Sequence, residues 1–76
     1  MKLYLLEQKR RRGYDTYDSC VVCAENAQDA ITIHPDEDYP DEYTWDSDKE
    51  SISCTEIGEA NDKQKRGVII ASFNAG

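Results

Sequence analysis

The apolar positions of this chain fall in short runs separated by turn residues, and the period within each run indicates the element it forms. In the segment from Met1 to Gln8, Leu3 and Leu5 share one face of an extended strand and Tyr4 and Leu6 the other. A second run from Cys20 to Glu25 is rich in small and β-branched residues and predicts another strand. Lys9 to Ser19, between them, is basic and turn-rich, with Gly13, Asp15 and Asp18, and predicts a long irregular hairpin loop. Asn26 is placed to cap a short helix, with Asp29 in its first turn and Ala27, Ala30 and Ile31 on one face. Pro35 disfavours helical geometry at His34, which predicts a helix of about two turns stopping by Ile33.

Past the helix, Ser51 to Ile57 alternates and predicts a third strand, and Val68 to Phe73 is apolar on both faces and predicts a central one. The order is ββαββ, an α+β fold: a four-stranded, mostly antiparallel sheet with one short helix on one face. Residues 1–76 form a single domain, interrupted by an irregular acidic loop over residues 36–50 that is flanked and broken by Pro35 and Pro40. A chain this short buries only about 60% of the surface that its unfolded form exposes, so a deep substrate pocket is not expected. The apolar run around Val68 to Ala71 is far shorter than the roughly 18 residues that a membrane helix needs.

Charge sharpens this outline. The formal net charge is −7, and all of it comes from residues 36–50, which hold eight acids and one lysine. Within that segment Asp36, Asp38, Asp41, Glu42 and Asp46 are interleaved with Tyr43 and Trp45, with Tyr39 beside them. Two readings remain open. One is a solvated loop that maintains solubility. The other is a partner-binding surface in which aromatic residues anchor and carboxylates steer a basic partner, such as a protein with a nucleic-acid-binding groove. Direct binding of nucleic acid is disfavoured by the same charge, although Arg11 and Arg12 with Tyr14 and Tyr17 form an alternative contact loop, for phosphate, for the acidic segment, or for a second copy in a homo-oligomer.

Catalytic and metal chemistry find little support in the sequence. Cys20 and Cys23 lie three apart in a predicted strand, so their thiols point to opposite faces and cannot converge on a metal. They read as small buried hydrophobes, and three cysteines without a leader-like N-terminus predict a reducing, cytosolic setting. His34 reads as a helix-terminating residue, favourable there when charged. The acidic run lacks the spacing and closing glutamate of a calcium loop. No catalytic residue, no metal site and no cofactor is predicted, and the chain reads as a binding protein and not an enzyme.

Three stretches carry a resemblance: Gly13 to Ser19 before the Val-rich strand, the Ile33-His34-Pro35 helix exit, and the ending Gly67 to Gly76. Together they resemble a family of small bacteriophage-encoded proteins of unknown function, over most of the chain except the acidic segment. The resemblance implies expression in the cytoplasm of a bacterial host and an accessory role in infection, such as inhibition of a host nucleic-acid-handling or defence protein. A small structural or self-associating phage protein is the alternative.

Overall fold

A computed structural model describes residues 1–9, 14–46 and 48–74. Four strands, β1 (Lys2–Gln8), β2 (Thr16–Ala24), β3 (Ile52–Glu59) and β4 (Gly67–Asn74), form one sheet in the order β3-β1-β2-β4, with every neighbouring pair antiparallel. A single helical turn, α1 (Ala27–Ala30), follows β2, and a 3-10 turn (Lys49–Ser51) leads into β3. The ββαββ architecture is the one that the pattern of the sequence predicts.

The core lies between the sheet and the segment running from α1 to β3. Tyr4 and Leu6 of β1, Cys20, Val22 and Ala24 of β2, and Ile52 of β3 meet Ala30, Ile33 and Trp45 from that segment. Leu3, Leu5 and Val21 project to the opposite face, which no helix among the described residues covers, and are only half-buried. The Tyr4/Leu6 face is therefore the core face, and one alternation in β1 separates it from the open one.

One strand position and three element boundaries are the main departures from expectation. The Val68 to Phe73 run lies at the edge of the sheet, not its centre. β1 and β2 pair with each other in the middle, and β3 and β4 add outside them on opposite sides. Its apolar character on both faces thus comes with exposure of Ile69, Ile70 and Phe73. β2 begins at Thr16, inside the stretch read as loop, because Thr16 and Tyr17 pair with Asn74 and Phe73 while a register shift before Ser19 absorbs Asp18. β3 extends to Glu59, a shift beside Leu3 and Tyr4 accommodating Ile57. The helix ends at Ala30 with one turn: Thr32 and Ile33 donate to the carbonyls of Asp29 and Ala30, i to i−3 bonds that tighten the chain out of the α-helix.

The N-terminal end of α1 is capped as the sequence suggests, and Asp29 adds two contacts that were not expected. Asn26 Oδ1 accepts the Asp29 N–H at 2.8 Å, and Asp29 Oδ2 reaches back to the Glu25 N–H at 3.2 Å. The Arg66 guanidinium then grips the same carboxylate, with Nη2 2.8 Å from Oδ1 and Nε 3.0 Å from Oδ2, tying the β3–β4 connection to the helix. No helix among the described residues is long and apolar enough to cross a membrane.

Candidate interaction surface

The acidic segment is a chain of aspartate-capped turns. Asp36 Oδ1 accepts the N–H groups of Asp38 and Tyr39, both at 3.1 Å. The Oδ1 of Asp41 accepts the Tyr43 N–H at 2.8 Å, that of Asp46 the Asp48 N–H at 2.9 Å, and that of Asp48 the Glu50 N–H at 3.1 Å. In each case a carboxylate takes the N–H two residues on, the geometry by which Asp substitutes for a backbone turn. Half of the eight acids in this run thus organise its backbone.

Two side chains outside the acid series fix the loop to the fold. His34 Nδ1 accepts the Asp36 N–H at 2.9 Å, and its Nε2–H donates to the Asp41 carbonyl at 2.8 Å. His34 thus clamps the start of the acidic segment to its middle, a role beyond the helix-terminating one expected from its position. Gln8 is fully buried at the end of β1, where it donates to the carbonyls of Tyr17 and Thr44 and accepts the Asp46 N–H at 2.9 Å. Tyr17 N–H also donates to the Thr44 carbonyl at 3.0 Å. Neither clamp was predicted. The alternation Tyr4, Leu6, Gln8 did carry a signal for the second, since it puts a polar side chain on the core face.

These fastenings separate the predicted site residues. Trp45 and Asp46 are each only 4% exposed, and Trp45 belongs to the core cluster. This corrects the expectation that they lie in a loop outside the core: a ring of this size is the largest apolar area in the segment, and the sheet face beneath offers the place to bury it. Tyr39 and Tyr43, at 78% and 74% exposed, project outward instead, beside the exposed Asp38, Asp41 and Glu42. Asp36 is half-buried, under its two N–H donors. Along the base of the loop a cleft of about 220 Å³ runs between Ile31, Ile33, Pro40 and Trp45, with Glu42 and Lys49 at its rim. Lys49 Nζ donates across it to the Ile31 carbonyl at 3.2 Å.

In the alternative contact loop, Arg11 and Arg12 lie outside the described residues. Tyr14 is exposed, next to Asp15 in a left-handed conformation at φ 58°. Tyr17 is half-buried, its ring 4.8 Å from that of Phe73 and 6.4 Å edge-on to His34. The structure therefore does not bring Tyr14 and Tyr17 together as one exposed pair.

Cys20 lies in the helix-side core, and burial pushes its thiol up to about 12, far from a reactive thiolate. Cys23 projects the other way, with its Sγ 3.9 Å from the Met1 sulfur, as the strand period requires. Cys54 is half-buried and its thiol is also raised by burial. Among the described residues no three His, Cys, Asp or Glu side chains gather as metal ligands.

Comparison with protein-family models gives no match, and no curated protein or solved structure is significantly similar to the chain.

Proposed function

We propose that this chain is a binding protein whose acidic loop docks on a basic surface of another protein. The observation that carries the reading is the contrast within residues 36–50: Trp45 and four aspartates hold the loop in place, while Tyr39, Tyr43, Asp38 and Glu42 face solvent on that scaffold. Prearranged aromatic rings flanked by carboxylates lose little freedom on binding and supply anchoring area, and the acids accelerate encounter with a cationic partner. The resemblance to small bacteriophage proteins favours a host nucleic-acid-handling or defence protein as that partner, with inhibition by occupation of its nucleic-acid-binding surface.

Affinity capture from bacterial lysate followed by kinetics on the captured protein tests the proposal. Asp38→Asn with Glu42→Gln is expected to slow association and flatten its dependence on salt. Tyr39→Ala with Tyr43→Ala is expected to speed dissociation. A captured partner that binds both variants as tightly as the unmodified chain would overturn the proposal.

A further inference from the structure

We infer that the outer edge of β4 is a self-pairing surface through which two copies of the chain join their sheets about a two-fold axis. The two edges of the sheet differ in the features that govern strand pairing. β3 carries Glu56 and Glu59 and is tied to β1 by the Lys2–Glu56 ion pair at 3.2 Å. Each edge strand has one bulge, at Ile57 in β3 and at Ile69 in β4, so it is the charges that set the two edges apart and keep β3 from pairing with another chain. β4, Gly67–Asn74, has no charged residue and no proline, and it carries Ile69, Ile70 and Phe73, each more than 40% exposed.

The start of β4 is already occupied. Glu37 Oε1 accepts the Val68 N–H at 3.3 Å, and a Cβ on Gly67, whose φ is +135°, would stand 2.9 Å from that same oxygen. A carboxylate there fills the place that a neighbouring strand's carbonyl would take and Ile69 is the bulge, which leaves the stretch from Ile70 to Asn74 as the regular, open part of the edge among the described residues.

Charge selects the occupant. A chain of net charge −7 repels its own copies except along a neutral strip, and β4 is such a strip. A cationic partner, by contrast, is drawn to residues 36–50. An antiparallel edge is also complementary to itself, so one strand serves both sides of a two-fold contact. With β3 protected, no second edge remains to extend the sheet, and assembly closes at two copies instead of growing into a filament. Across the axis Ile70, which pairs with Val21 on the uncovered face, continues an apolar strip from one protomer into the next.

Sedimentation equilibrium over a range of protein concentrations, with amide hydrogen exchange on the same samples, tests the inference. The expected species has twice the 8.7 kDa chain mass at high concentration, and amides between Ile70 and Asn74 slow as it forms while those of β3 do not. Ile70→Lys, at a position 66% exposed, is expected to keep the native far-UV spectrum and to weaken association roughly tenfold or more by setting like charges near the axis. A chain that stays monomeric at every concentration overturns the inference, as does a dimer whose β4 amides exchange as fast as in the monomer. The exchange measurement uses the unmodified chain, so the outcome does not hang on how Ile70→Lys folds.

Discussion

The side-chain oxygen of Gln8 accepts the backbone N–H of Asp46 at 2.9 Å in the interior, joining the end of the first strand to a residue 38 positions later. The Gln8 amide nitrogen donates to the carbonyls of Tyr17 and Thr44, so one side chain bonds three backbone groups on two segments, β2 and the acidic loop. Replacing Gln8 with Leu keeps the volume and removes the Gln8 partner of the Tyr17 carbonyl and of the Asp46 N–H, while the Thr44 carbonyl still accepts the Tyr17 N–H. Each buried group left without a partner costs about 1–3 kcal/mol, so Gln8→Leu is expected to lower the unfolding free energy by at least about 2 kcal/mol. Urea denaturation measures this, and an unchanged midpoint would show that the hub contributes nothing to stability.

Charge and turn formation are separable at Asp36 and Asp41. Asn keeps the oxygen that accepts the N–H two residues on and removes the charge, whereas Lys removes both. Asp36→Asn and Asp41→Asn are expected to melt close to the unmodified chain, and the Lys variants to lose about 1 kcal/mol for each turn bond broken. Equal melting of the Asn and Lys variants would show that these oxygens do not organise the loop. The comparison also governs any binding experiment, because charge reversal at these two positions would alter the loop's shape along with its field.

Trp45 gives the largest expected loss. Truncating a buried Trp typically costs about 3–5 kcal/mol, a large share of the roughly 5–15 kcal/mol that holds a small domain together. Trp45→Ala is thus expected to unfold the chain or to lower its melting temperature steeply, as read by far-UV circular dichroism. Tyr43→Ala, on the same loop but facing solvent, is expected to stay within about 0.5 kcal/mol. Native-like melting of Trp45→Ala would move this ring out of the core.

The contrast between Trp45 and Val68 to Phe73 shows where the sequence was legible. Period-two alternation identified the strands and divided β1 into a Tyr4/Leu6 face and a Leu3/Leu5 face, but did not say which of the two is buried. It could not rank the strands across the sheet, since apolar residues on both faces suit a buried central strand and also an edge with a face to cover. The composition of residues 36–50 was equally two-sided. Acids and aromatics adjacent in sequence suggested one exposed surface, yet the Asx turns put Trp45 inside and Tyr43 outside two residues apart. Only the Asn26 cap, set by local geometry, was readable with its partner; the helix ends at Ala30, short of the stop at Ile33 expected from Pro35, and Gln8 and Glu37 act over separations that no local pattern encodes.

Acid titration probes the link between the helix and the β3–β4 connection. Hydrogen bonds from the Arg66 guanidinium hold the Asp29 carboxyl below its ordinary value of 3.8, and the Glu25 N–H adds to the effect. An unfolded chain therefore takes up a proton at Asp29 at a higher pH than the folded one, and stability rises with pH between the two values. The contribution is complete above about 3.8 and disappears as pH falls through the lowered folded value. Asp29→Asn retains an oxygen for the Glu25 N–H and removes the charge that Arg66 grips. The variant is expected to be less stable than the unmodified chain at neutral pH, with the gap closing as pH falls below that window and narrowing in high salt, since both partners are partly exposed. Urea midpoints measured from pH 7 downward give the comparison. A gap that stays constant through the acid range would mean that Asp29 stabilises the turn through its shape alone, and that the Arg66 ion pair adds nothing.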